Sequence, residues 1–150
     1  MATAIACSGQ GANASVRPND RVQEDGVIAP RGLLDAARRI FAGAERDAAN
    51  GLHMSACVGA QRAAAMATEA WLREDGQPLV SASVYENVCL SPRSGADVRE
   101  AARLLDRYRI DEGPHGSSGE VAESRHESEE AVRSARLVLE FVERQREPAR

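Results

Sequence analysis

Three arginines and one histidine around residue 110 supply the groups in this chain best suited to handling a phosphate and a proton. Arg103 and Arg107 stand one helical turn apart and lead toward Arg109 on roughly one helix side; His115 follows Arg109 after Ile-Asp-Glu-Gly-Pro. A guanidinium presents a planar fork that pairs with phosphate oxygens, so Arg103 and Arg107 could form a phosphate-binding strip. An imidazole titrates near neutrality and can take up or return a proton there. The plain alternative is a solvated helix face followed by a solvated histidine, because His115 sits between Pro114 and Gly116 in a Gly/Ser-rich acidic segment. The other histidines read as surface residues, His53 at a helix start and His126 inside a capping box. Cys7, Cys57 and Cys89 form no C-x-x-C pair and have no histidine at metal spacing. They imply neither a zinc site nor a disulfide framework, and they fit a reducing cytoplasm. Cys57 reads as a small core residue; no metal and no cofactor is expected.

The elements that must position these groups are helices. A chain of 150 residues is long enough for one domain with a buried core. With 43% hydrophobic but only 3% aromatic residues, that core must be aliphatic and alanine-based. The net charge of -4 excludes duplex nucleic-acid binding by bulk charge alone. All 19 basic residues are arginine, which with the abundant alanine reads as codon bias. No stretch is apolar enough to span a membrane. The opening MATAIACSGQ lacks the charged and long apolar regions of a signal peptide.

Residues 1–29 show no sustained period and read as a disordered or poorly packed tail. A helical bundle is expected over residues 30–147. Its first helix runs from about Pro30 to Asn50, with an apolar stripe of Leu33, Leu34, Ala37, Ile40, Phe41, Ala44 and Ala48. A turn at Asn50 and Gly51 leads into a helix over Leu52 to Asp75, which Gly76 ends in the left-handed conformation. Alanines at 56, 60, 63, 64, 67 and 70 let neighbours approach that helix on several sides, so it reads as the central rod. A short helix near Val84 to Leu90 follows. Ser94 with Asp97 resembles a capping box opening a helix over about Gly95 to Ile110. Ser124 with Glu127 opens the last helix, which runs to about Gln145. The fold class is all-α: an up-and-down bundle of four long helices plus one short helix. Trp71, the single tryptophan, reads as a core or dimer-interface anchor.

Three segments together resemble the HEPN domains (higher eukaryotes and prokaryotes nucleotide-binding). Residues 33–76 are similar to the family's opening hairpin, including the run Ala56-x-x-x-Ala60-Gln61-x-Ala63-Ala64. AARLLDRYRI, residues 101–110, is similar to an Ala-x-x-Leu-Asp-x-x-Tyr-Ile segment, and residues 128–145 look like the terminal helix. The likeness covers about residues 31–146, in order. It departs at Ala65 and Met66, where relatives commonly carry Glu and Lys, and at Glu69, a Lys position. Asp111 to Pro114 replaces a Thr-Arg-Tyr-Pro step.

The resemblance implies two functions. In the first, Arg109 and His115 match the Arg-x(4–6)-His mark of the family's ribonucleases, and would act across a homodimer as a metal-independent endoribonuclease of a toxin-antitoxin pair. His115 would take the 2′-hydroxyl proton and Arg109 would stabilise the phosphorane. In the second, a non-catalytic dimeric module binds nucleotide or docks a nucleotidyltransferase-type antitoxin, with Tyr85 and Tyr108 as the available nucleotide acceptors. Both imply RNA or a nucleotide as ligand, a cytoplasmic location and no membrane.

Overall fold

A computed structural model describes residues 29–79, 81–110 and 124–147. Apart from Ala29, the expected tail lies outside the described residues, as does His115. Helices are the only regular elements described: α1 (Pro30–Ala49), α2 (His53–Glu74), α3 (Val84–Val88), α4 (Ala96–Asp106) and α5 (Arg125–Arg146). The expected all-α bundle of four longer helices and one short one is what forms.

Local chemistry sets most of the boundaries. Pro30 opens α1, where its missing N–H would have had no partner in any case. Gly51 adopts φ 77° and Gly76 φ 66°, a left-handed geometry that costs glycine nothing. Each closes its helix with a pair of returning bonds. Gly51 N–H donates to Ala48 O and Leu52 N–H to Asp47 O (3.2 and 2.9 Å); Gly76 N–H donates to Arg73 O and Gln77 N–H to Leu72 O (3.1 and 2.9 Å). The short link between α1 and α2 leaves them antiparallel. Ser124 Oγ accepts from Glu127 N–H at 3.2 Å and caps α5 as its spacing predicts.

Two boundaries differ from expectation. Gly95, not Ser94, is the N-cap of α4 and makes no side-chain cap bond. Ser94 Oγ instead donates to Ser91 O at 2.9 Å, which spends the hydroxyl inside the preceding turn. α4 also stops at Asp106 rather than Ile110: Tyr108 N–H reaches back only three residues, to Leu105 O at 3.0 Å. The carboxylate of Asp106 has another use, described below.

Among the described residues α2 packs against all four other helices, whereas α1 meets α2 and α5 but neither α3 nor α4. The alanine positions explain how one rod serves four neighbours. Ala56, Ala60, Ala63, Ala64, Ala67 and Ala70 are all fully buried. Gly59 sits so close to α1 that an added Cβ would stand 3.2 Å from Ala44 Cβ. Larger groups fill the far end of α2, where Trp71 meets Phe141 of α5 edge-to-face with ring centroids 5.6 Å apart. Trp71 is therefore a core anchor, and Cys57 is buried as expected.

Candidate functional site

α3 is five residues long, too short to persist without outside support. Ser83 caps it, its Oγ accepting from Glu86 N–H at 3.2 Å. Asp106, at the end of α4, supplies the rest. Its carboxylate accepts from Ser83 Oγ (2.6 Å), Val84 N–H (2.9 Å) and Tyr85 N–H (3.2 Å). Donors that an isolated helix start would leave unpaired are thus satisfied by a charged acceptor, the stronger kind of hydrogen bond. Arg103, one turn earlier, lies over the Tyr85 ring at 4.6 Å and donates to its hydroxyl at 3.0 Å. That hydrogen bond raises the guanidinium's already high pKa, so Arg103 stays charged. Asn87 Nδ2 donates to Ser81 O at 2.9 Å and fixes the link that precedes α3.

Held this way, α3 places Asn87 on the lining of a cleft of about 400 Å³. Gln61, Ala65 and Glu69 of α2 face Leu79, Ser81 and Ala82 of the link, Asn87 of α3, and Arg109 with Ile110 just past α4. The lining mixes an apolar surface with two amides, a carboxylate, a hydroxyl and a guanidinium. Gln61 and Asn87 are almost wholly buried, whereas Leu79 and Ile110 are about half exposed at the rim. Asn87 Oδ1 is the one buried side-chain polar atom, among the described residues, that has no hydrogen-bond partner.

Of the residues singled out from sequence, Arg109 lines this cleft and is half-buried. Arg103 and Arg107 do not line it: Arg103 is engaged with Tyr85 and stands 3.9 Å from Glu100, and Arg107 is exposed at the C-cap of α4. His115 is outside the described residues, five positions beyond Ile110 on the cleft rim. Tyr108 is only 3% exposed and is no accessible nucleotide acceptor. His53 is half-buried rather than a surface residue, because the first turn of α5 packs on the start of α2. Its Nδ1 lies 3.0 Å from Ser128 Oγ. That hydroxyl donates its one proton to Arg125 O at 3.0 Å, so Nδ1 is the donor to it.

A second groove, between α1 and α5, gathers Arg125, Arg133 and Arg136. Carboxylates on the spot already engage two of them: Glu129 lies 2.7 Å from Arg125 and Glu45 lies 3.2 Å from Arg136. The Arg109 cleft, whose lining combines a guanidinium with two nearly buried amides and an apolar surface, is the stronger candidate.

Gln61 and Asp106 lie in the family-like segments, but nothing in the sequence gives them or Asn87 a role in a site. Ser83 followed three residues later by Glu86 was a legible capping signal for α3. Nothing local in the sequence, however, announced that residue 106 completes that cap.

Known proteins agree with this architecture. The HEPN domain family model matches residues 31–145. The solved structure of TT1696 from Thermus thermophilus is similar at 30% identity and TM-score 0.63, covering 77% of this chain and 97% of that one. An archaeal HEPN homologue is similar in fold at 22% identity and TM-score 0.64, covering 79% of this chain and 98% of that one. An HEPN domain protein from Thermotoga maritima gives 24% identity and TM-score 0.61, with 75% and 94% covered. No curated protein matches the sequence. A helical bundle with a short clamped helix beside its central rod is the class the fold defines. Within that class, the chain belongs to the HEPN domain family. No described helix is long and apolar enough to cross a membrane.

Proposed function

We propose that this HEPN protein binds a nucleotide, or the equivalent unit of a single-stranded RNA, in the cleft beside Arg109. The observation that carries the reading is the shared lining: a half-buried guanidinium, two nearly buried amides and an apolar surface in one cleft of about 400 Å³. A base has two apolar faces and a polar edge, and Ala65, Leu79 and Ala82 suit the faces while Gln61 suits the edge. Arg109 is the natural partner of the phosphate.

On this reading His115, six positions after Arg109, provides the reactive base. Its imidazole removes the 2′-hydroxyl proton, the 2′-oxygen attacks phosphorus, and the bond to the 5′-oxygen breaks as that oxygen takes up a proton, the imidazolium's or water's. A 2′,3′-cyclic phosphate and a 5′-hydroxyl remain, with Arg109 offsetting the charge of the phosphorane. A homodimer, bringing two such segments together, is the expected working form.

The test is cleavage of total RNA in chelator by the parent, His115→Ala and Arg109→Ala, alongside nucleotide binding. Cleavage by the parent that both variants abolish supports the nuclease reading. Equal cleavage by parent and variants removes it. Nucleotide binding without cleavage leaves the non-catalytic module, docked on a nucleotidyltransferase partner, as the working reading.

A further inference from the structure

The groove between α1 and α5 holds charges that the Arg109 cleft does not use. Arg125, Arg133 and Arg136 of α5 share about 450 Å³ with Glu45 of α1 and Glu129 of α5. Three cations against two anions leave a positive surplus there, on a chain whose net charge is -4. Arg125 and Arg136 stand three turns apart, about 16 Å along α5, so the row is longer than one nucleotide unit. Arg136 lies over the Phe41 ring at 5.6 Å, which restrains its guanidinium at the groove wall. Arg133 makes no ion pair among the described residues, and its charge acts on Glu129 from further off. The pairs that do form, Glu129 with Arg125 and Glu45 with Arg136, are exposed to water, where ion pairs are weak and readily exchanged.

We infer that this groove is an accessory site for the phosphodiester backbone of single-stranded RNA, indifferent to the bases. The inference takes its polymer from the RNA reading above and adds a second contact surface to it. A guanidinium fork meets two phosphate oxygens at once, and three forks in a row suit a chain of phosphates better than a single one. An arriving phosphate displaces Glu129 and Glu45 from their arginines, one anion for another. The polymer tips that exchange. RNA carries condensed counterions that it releases as arginines replace them, a gain that a carboxylate peptide does not match. The groove has no amide on its lining, and the Phe41 ring beside it is covered by Arg136, so it holds a backbone without reading a sequence.

The experiment measures equilibrium binding of UMP and of oligouridylates of increasing length to the full chain over a range of salt. Arg133→Gln is expected to lower the salt slope for oligouridylate by about 0.7, and the Arg125→Gln, Arg133→Gln, Arg136→Gln triple variant by about 2, as for one and three phosphate contacts on a single strand. Glu45→Gln with Glu129→Gln removes the competing carboxylates and is expected to tighten oligouridylate binding. UMP binding is expected to be the same in every variant. A salt slope that the arginine variants leave unchanged overturns the groove site and leaves the cleft intact. So does a carboxylate double variant that binds oligouridylate no better than the parent, or equal weakening of UMP and oligouridylate by the arginine variants. Displacement of oligouridylate by polyglutamate of equal charge also overturns it, and makes the groove a site for acidic peptides. Binding of neither UMP nor oligouridylate to the parent overturns both readings. Circular dichroism checks the fold of the triple variant, and if it unfolds, the carboxylate double variant decides.

Discussion

Ser83 and Asp106 lie 23 residues apart in sequence and share a 2.6 Å hydrogen bond that ties the start of α3 to the end of α4. Two backbone N–H groups, of Val84 and Tyr85, converge on the same carboxylate. Removing it strands donors at a helix start that cannot hold itself. Asp106→Ala is expected to cost about 1.5 to 3 kcal/mol, the range for hydrogen bonds to a charged group. Urea denaturation followed by Trp71 fluorescence reads that loss as a lower midpoint, and an unchanged midpoint would contradict the role given to Asp106. Ligand binding should weaken as well, since α3 carries Asn87.

Arg103 and Arg107 are separated by function even though a helical wheel groups them. Arg103 is spent on Tyr85, and Arg107 is exposed. Arg103→Ala should lower the thermal midpoint and leave the salt dependence of RNA binding nearly unchanged. Arg107→Ala should do the reverse if RNA passes over this face, reducing the salt slope by about one phosphate contact. Equal effects from both variants would restore the two-arginine strip that the spacing suggests.

At Gly59 the spacing of α1 and α2 is set by near-contact with Ala44, 3.2 Å from where a Cβ would sit. Gly59→Val should destabilise by about 1 to 3 kcal/mol, the usual cost of overpacking. Gly59→Ala should be close to neutral, because a gain in helix propensity of about 1 kcal/mol offsets the tight contact. Adding Ala44→Gly to Gly59→Val should recover part of the loss. A purely additive double mutant would show that the two positions do not touch.

Burial pushes the Cys57 thiol from its ordinary 9.0 up to about 11 and the Tyr108 phenol from 10.0 up to about 12, in each case mainly by desolvation. Both groups hold their protons more tightly in the folded chain than in the unfolded one. Between pH 9 and 12 the unfolded chain therefore binds fewer protons, and stability falls as pH rises through that window. Below pH 9 the two groups contribute no slope. Denaturation midpoints measured from pH 8 to 11 should decline above 9, and the Cys57→Ala, Tyr108→Phe double variant should flatten the decline. The same decline in the double variant would assign the effect elsewhere.

Much of the scaffold was readable in one dimension because its determinants are local. Glycines at 51 and 76 end two helices, Ser124 caps another, and an alanine run marks the helix that everything else leans on. Ser94 misled because a hydroxyl has more than one place to donate, and the preceding turn was nearer. The cleft was illegible for a different reason. Gln61, Glu69, Ser81, Asn87 and Arg109 come from three helices or their ends, and only packing gathers them. A sequence signature singles out Arg109, and the structure puts it on the cleft lining; nothing in the sequence singles out Asn87, because an asparagine in a short helix says nothing until the fold brings it there.

The alanine rod has a consequence for how the cleft can respond to an occupant. The buried alanines that stop at Cβ have no rotamers to change, so the rod itself has little room to shift, and on its cleft side only Gln61 and Glu69 can turn. Any backbone adjustment falls on the opposite side, a link and a short helix tethered by one carboxylate and one stacked guanidinium. Occupancy of the cleft would then be felt first as a tug on that tether, and through it at the end of α4, from which the chain runs on toward His115.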